Sequence, residues 1–212
     1  GTLYRFAFDL RILQSPTFGE VFEPFGDKQV GSSAMPFKRN PISAEKIDSL
    51  ARYLAAMPRV AWDNAAHSLL ERTLDDSANR RLMLPQAFLI ADELLRTARR
   101  LLGGLEFDGF AMASNMRTFG VFTAIEPLLM SLCKAGADRQ QMHACIRDHA
   151  MRAWEEVRRG HPNPLAESLC GDQELLRHLP AAEINDHLRR SGEHFGLAPD
   201  RAREIARLLR KC

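Results

Sequence analysis

Apolar residues recur every three or four positions along most of this chain, which is the spacing of one face of an α-helix. We find no β-rich alternation of apolar and polar residues, and no internal repeat. The pattern predicts an all-α protein. The predicted helices cover residues 3–14, 42–66, 77–102, 121–135, 138–159, 181–190 and 199–210.

Two of these helices are much longer than the others. Each contains a proline: Pro58 is expected to kink or end the first, and Pro85 to bend the second. A pair of glycines closes the second long helix and marks a change to shorter helices. We therefore expect one domain over residues 1–108, which includes the loop 30–42, and a compact helical domain over residues 109–212.

An irregular stretch, residues 15–41, separates the first two predicted helices. A loop of this length inside a compact protein is uncommon and is often functional. It ends in VGSSAMPFKRNPI, from Val30 to Ile42. Lys38 and Arg39 favour anions such as carboxylate or phosphate, and a serine hydroxyl can act as a donor, a nucleophile or a base. On composition alone, a solvated linker that carries two basic residues is the alternative.

Composition narrows the class of protein. The chain has 212 residues, of which 45% are hydrophobic and 26% charged, as in an ordinary globular protein. A formal net charge of +2 gives no case for a nucleic-acid partner. No apolar run approaches the roughly 20 residues that span a bilayer. The four cysteines form no CxxC pair and the histidines lack metal spacing, so we expect no metal site and a cytoplasmic protein.

Several segments resemble one known superfamily. GSSAMPFKRNP resembles the signature loop GSSxMPxKxNP of the fumarase/aspartase superfamily of lyases. ERTLDDSANRR, at Glu71–Arg81, is similar to a segment of animal-type adenylosuccinate lyases, and SLARYLAAMP fits as well. KAGADRQQMHACIR resembles a helix pair of the third domain of that family. Members are longer, and the chain begins like the middle of an apolar helix. It therefore resembles their C-terminal half, with residues 1–108 in the central helical bundle.

The resemblance implies an enzyme that cleaves a C–N bond by β-elimination, without a cofactor. Adenylosuccinate would give AMP and fumarate, and the related succinylated carboxamide ribotide would give fumarate likewise. Ser32 matches the catalytic base, and Lys38 the cation that faces the developing aci-carboxylate. Met35 and Asn40 match positions that hold the succinyl carboxylates, and Ser33 is a nearby donor.

A second group of residues matches the nucleotide phosphate site of the family. Arg72, Ser77 and Arg81 form this group, and Lys46 stands where animal-type members tend to have arginine. Ser77 and Arg81 are four positions apart and would share a helix face, with Ser77 at the helix start, where free N–H groups attract phosphate. The alternative is that the neighbouring aspartates cap the helix and pair with the arginines.

The resemblance also implies a homotetramer in which three subunits build each active site. Wide apolar faces on the two long helices suit such an assembly. Because the resemblance covers only the C-terminal half of a member, it implies that N-terminal catalytic residues are missing, and we expect the chain alone to be inactive. Two other hypotheses stay open: a sister lyase that acts on argininosuccinate or another fumarate-releasing substrate, and a non-catalytic helical module for oligomerisation.

Overall fold

A computed structural model describes residues 1–26, 38–71, 73–193 and 195–210. Within these ranges the protein is helical, apart from a two-residue antiparallel pairing in which Val21 lies opposite Phe107 and Phe22 opposite Glu106. The prediction of an all-α fold is confirmed. The elements in chain order are α1 (Thr2–Leu13), β1 (Val21–Phe22), α2 (Ile42–Ala66), α3 (Ser77–Gly103), β2 (Glu106–Phe107), α4 (Gly109–Thr123), α5 (Ile125–Lys134), α6 (Arg139–Arg158), α7 (Leu165–Cys170), α8 (Gln173–Leu176), α9 (Ala181–Arg189), a 3₁₀ turn (Arg190–Glu193) and α10 (Ala198–Leu209).

The chain divides into two compact units, residues 1–112 and 113–212. The first unit contains α1, α2 and α3. Its core consists of small and aliphatic side chains from these helices and β1, namely Ala7, Leu10, Val21, Ala44, Ile47, Leu94, Ala98 and Leu101. This boundary lies four residues after the one that the sequence places at 108.

Helices α2 and α3 pack as an antiparallel pair. Lys46 forms an ion pair with Glu93 near the start of α2. Further along, the hydroxyl of Tyr53 donates to Gln86 at 2.8 Å. At the other end, Asn64 and Asn79 exchange two side-chain hydrogen bonds of 2.7 and 2.8 Å. The partner numbers fall on α3 as they rise on α2, so the two helices run in opposite directions.

Neither proline ends its helix. Helix α2 continues through Pro58 to Ala66, and α3 continues through Pro85 to Gly103. Both prolines are exposed, so their rings lie on the solvent side of helices that are packed on their other face. A proline removes one backbone hydrogen bond, and the packing of a long helix offsets this loss. Pro58 as the end of a helix was therefore a wrong expectation.

The second unit has a larger aliphatic core than the first. Its buried residues come from α5, α6, α7, α8 and α9 and include Leu128, Leu132, Met142, Ile146, Leu165, Leu169, Leu175, Ile184 and Leu188. The predicted helix 121–135 is two helices, α4 and α5, that meet at Ala124. Helices α7 and α8 lie in a segment that the sequence analysis left without a helix. Both are short, with six and four residues, so they show little periodicity.

One stretch, Gly109–Lys134, is long and apolar enough to cross a membrane by length and composition alone. This differs from the expectation from the sequence that no apolar run is long enough. Core helices of globular proteins pass the same test. Here the stretch is divided at Ala124, and Leu128, Leu129 and Leu132 lie in the core of the second unit.

A hydrogen-bonded cluster joins α6 to α8. Asp172 caps α8, where its Oδ1 accepts from the N–H groups of Glu174 and Leu175 at 2.8 and 3.1 Å. Its Oδ2 lies 2.8 Å from Nε2 of His149. Burial opposes ionisation of Asp172, but these hydrogen bonds outweigh it and hold its pKa below the ordinary value. Burial, followed by the nearby Asp172 carboxylate, raises the pKa of the Cys145 thiol to about 11.

We expect Asp172→Ala to lower the free energy of unfolding by about 1–2 kcal/mol at neutral pH, because it removes a helix cap and the partner of His149. A carboxylate with a depressed pKa stabilises the fold above its ordinary pKa, and this contribution is lost as the pH falls through the folded-state pKa. The difference from wild type should therefore shrink in acid. Urea denaturation of wild type and Asp172→Ala, at neutral pH and in acid, measures this difference in the free energy of unfolding. Asp200→Ala, which changes an exposed aspartate of α10, is the control. Equal stability of both variants would contradict the role of Asp172.

Candidate functional site

A cleft of about 620 Å³ lies where the irregular segment enters α2. Its apolar side consists of Phe8, Ile12 and Phe22, and its polar side includes Lys38 and Asn40. The structure thus places two of the predicted substrate-binding residues on one cleft. Ser32, Ser33 and Met35 lie outside the described residues, so the predicted base and its neighbours stay predictions.

The cationic groups of this cleft differ in their partners. The Arg11 guanidinium donates to Oδ2 of the buried Asp48 at 2.7 Å, and this hydrogen bond raises the pKa of Arg11. Arg39 lies over the ring of Phe25, 5.0 Å from its centroid, and 3.8 Å from the carboxylate of Glu106. Within the described ranges, Lys38 has no ion pair. Its ammonium group is thus available for an anion in the cleft.

Two buried polar residues support this region: Gln14, which lines the cleft, and Glu23, which contacts the first turn of α2, are 6% and 2% exposed. Burial raises the pKa of Glu23, although backbone N–H groups at the start of α2 oppose the shift. Sequence reasoning missed both residues. The available signal was the start of α2 at Pro41, which lacks a capping side chain, so that an acceptor must come from elsewhere.

Lys46, which the sequence analysis placed in the substrate site, forms an ion pair within the chain. Its ammonium group contacts the carboxylate of Glu93. The Thr97 hydroxyl also donates to Glu93 at 3.0 Å. The hydrogen bond from Lys46 and then the one from Thr97 lower the pKa of Glu93. A contact of Lys46 with substrate would have to compete with this carboxylate.

The other predicted group lies at the start of α3. The helix begins at Ser77, which is 9% exposed. Arg80 pairs with Asp76 at 3.3 Å. Among the described residues, Asp76 makes no side-chain hydrogen bond that caps α3, so the alternative is met in its ion pair and wrong in its cap. Arg81 is exposed and has no ion pair among the residues that the structure describes. Arg72 lies outside those residues.

The two groups of candidate residues lie at opposite ends of the α2–α3 pair. Lys38 and Asn40 precede α2, near the Lys46–Glu93 contact, whereas Ser77 and Arg81 lie near the Asn64–Asn79 contact. Lys46 and Asn64 are 18 positions apart on one helix, which corresponds to roughly 27 Å at 1.5 Å per residue. One chain therefore does not bring the two groups together on a single small molecule.

Three donor atoms elsewhere, from Cys145, His149 and Asp172, lie within 4.8 Å of one another. This is the kind of spacing that a metal site requires. In the structure the Asp172 carboxylate is already bonded to His149 and to the backbone of α8. These hydrogen bonds account for the cluster as a link between helices.

Comparison with known proteins gives matches at both ends of the chain. Residues 1–54 match a family described as "Lyase", and residues 122–204 match one described as "Adenylosuccinate lyase C-terminus". A protein of Schistosoma mansoni named adenylosuccinate lyase is 40% identical over 173 residues, which cover 81% of this chain and 36% of the relative. Another of the same name, from Pyrococcus abyssi, is 36% identical over 210 residues, which cover 96% and 43%.

A solved structure extends this similarity to the fold. The 3-carboxy-cis,cis-muconate lactonizing enzyme from Pseudomonas putida matches with a TM-score of 0.76 and 26% identity, over 93% of this chain and 42% of that enzyme. The fold and the lyase match place the chain in a class of helical proteins, the fumarase/aspartase superfamily of lyases. Within it, the chain belongs to the adenylosuccinate lyase family and corresponds to its C-terminal part. The chain spans less than half the length of these curated relatives.

Proposed function

We propose that the chain is the C-terminal part of an enzyme that cleaves adenylosuccinate to AMP and fumarate. The same enzyme would cleave the succinylated carboxamide ribotide to the aminoimidazole carboxamide ribotide and fumarate. The observation that carries the choice of a nucleotide is Arg81, an exposed arginine one turn after the start of α3. A helix start and a free guanidinium together suit a phosphate. A substrate without phosphate would not need them.

The reaction needs a base, an anion-stabilising group and an acid. In the proposed mechanism Ser32 removes a proton from the carbon next to a succinyl carboxylate, and the ammonium group of Lys38 stabilises the aci-carboxylate that develops. The electron pair then forms the C=C bond of fumarate as the C–N bond breaks. A general acid protonates the leaving nitrogen. Asn40, on the same cleft as Lys38, would hydrogen-bond a carboxylate.

We further propose a homotetramer in which neighbouring subunits share each active site. Phe88, Leu95 and Leu102 repeat every seven residues along α3 and are 74%, 63% and 53% exposed. This spacing is typical of a helix that packs against another helix. The separation of Lys38 from Arg81 within one chain supports the same arrangement, because a second chain would supply the missing half of each site.

We place the enzyme in the cytoplasm. Cys133, Cys145 and Cys170 are free thiols, as expected for a reducing compartment. The substrate is a small nucleotide, and we propose neither a nucleic acid nor a membrane as a partner.

Arg80 and Arg81 form a matched pair for testing the nucleotide site. In the enzyme expressed from its parent open reading frame, Arg81→Ala should raise KM for adenylosuccinate about tenfold, because a charge-assisted hydrogen bond to phosphate is lost. Arg80→Ala should change it less, since Arg80 is paired with Asp76. Steady-state fumarate release, followed by ultraviolet absorbance, gives both values. An enzyme that prefers argininosuccinate and ignores Arg81→Ala would overturn the choice of substrate.

Mixing Lys38→Ala with Arg81→Ala tests the shared site when the substrate concentration is kept well below KM, because Arg81→Ala then works at about one tenth of the wild-type rate. Lys38→Ala and Arg81→Ala remove the two halves of the site, so mixed tetramers should regain activity in about one quarter of the sites by random assortment. Lys38→Ala mixed with Asn40→Ala is the matched control, because both changes lie on the same segment. No recovery in the first mixture would show that each chain builds its own site, against the proposed assembly.

The 212-residue chain alone should release no fumarate from adenylosuccinate, because the general acid of the proposed mechanism is not among its assigned residues. Activity should appear when the chain is joined to the N-terminal region of a relative. The same absorbance assay applies. Turnover by the chain alone would mean that the acid lies within these residues, and turnover that survives Ser32→Ala in the longer protein would favour a different mechanism.

A further inference from the structure

Two buried polar side chains connect the entry to α2 with the helix and strand that precede it. The Gln14 amide nitrogen donates to the carbonyl oxygen of Arg39 at 3.1 Å. The Gln14 amide oxygen accepts from the backbone N–H of Glu23 at 2.9 Å. One side chain at the end of α1 thus holds both the residue after β1 and the residue between Lys38 and Asn40. We call Gln14 and Glu23 together the clasp.

Glu23 forms the second half of the clasp. Its Oε1 and Oε2 both accept from the N–H of Ser43, at 3.1 and 3.0 Å, and Oε2 also accepts from the N–H of Ala44 at 3.1 Å. These N–H groups belong to the first turn of α2, where no carbonyl of the helix can reach them. Glu23 therefore caps α2 from a distant position in the sequence.

A buried carboxylate is costly unless several donors satisfy it. Glu23 meets this condition, and its burial shows that the cap is built into the first unit instead of resting on its surface. Pro41, the residue just before α2, has no side-chain acceptor that could cap the helix. The helix start, and the two residues of the cleft that precede it, thus depend on an acceptor that only Glu23 supplies among the described residues.

We propose that Gln14 and Glu23 are positioning residues that set Lys38 and Asn40 for the carboxylate end of the substrate. The Arg39 carbonyl lies in the peptide unit that joins Arg39 to Asn40, so the Gln14 contact restricts the backbone on which both side chains are carried. The cap by Glu23 fixes the direction in which the chain then enters α2. This inference rests on the proposed function and adds two residues that act through the backbone of Lys38 and Asn40.

Hydrogen exchange tests the contacts themselves in the chain as it stands. Glu23→Gln keeps the shape but replaces one acceptor oxygen with an NH₂ donor that faces the N–H groups of Ser43 and Ala44. Exchange at these amides should become about tenfold faster. Glu183→Gln, an exposed glutamate in the first turn of α9, is the matched control and should leave them unchanged. Glu23→Met removes both acceptor oxygens, and unchanged exchange in both Glu23→Gln and Glu23→Met would show that Glu23 does not cap α2.

Inhibition of the enzyme from the parent open reading frame tests the positioning. Binding of fumarate should need Lys38 and Asn40. Binding of AMP should depend on Ser77 and Arg81 at the start of α3, which is the end of the α2–α3 pair away from the cleft. Glu23→Gln should therefore raise the inhibition constant of fumarate about tenfold and leave that of AMP within about twofold. Gln14→Met, which removes both hydrogen bonds of Gln14 at similar volume, should give the same pattern.

The two inhibitors separate positioning from general destabilisation. A variant that is merely less stable would weaken fumarate and AMP alike, and equal changes or no change would overturn the proposal. An unmodified enzyme that releases no fumarate from adenylosuccinate would instead overturn the proposed function. The exchange experiment would still decide whether the clasp exists.

Discussion

The antiparallel packing of α2 against α3 determines where every candidate residue of the first unit can lie. The Lys46–Glu93 and Asn64–Asn79 contacts fix the alignment of the two helices. Because each helix is continuous between these contacts, the residues that precede α2 and those that begin α3 lie far apart. The proposed chemistry needs the residues before α2 and those at the start of α3 on one ligand. Because one chain holds them apart, this requirement supports a site that is shared between chains.

A second constraint is that the N–H groups in the first turn of α2 need hydrogen-bond acceptors. The sequence there offers prolines and basic residues in place of a capping serine or aspartate. The fold meets this need with Glu23, and it uses Gln14 to hold the peptide just before it. A loop that must present cations and donors to a substrate thus leaves the task of capping to residues outside it. Lys38 and Asn40 then line the cleft.

Periodicity predicted the helices well because their apolar faces are long, as α3 shows from Leu94 to Leu101. It failed where elements are short, as for α7 and α8. The cleft residues Lys38 and Asn40 were predicted from a motif. The capping role of Glu23 was not, since it depends on a contact across 20 positions that no local pattern records.

The exposed stripe of α3 connects stability with activity. Phe88, Leu95 and Leu102 leave much of their surface in water in a single chain, and burying each such side chain contributes about 1.5–3 kcal/mol. Contact between α3 helices of different chains would cover this stripe. Ser77 and Arg81 lie on the same helix, so that contact would also carry them toward the cleft of a neighbouring chain. In the proposed enzyme, one interface would therefore both stabilise the bundle and complete the site. A change in the stripe would then weaken assembly first and catalysis as a consequence.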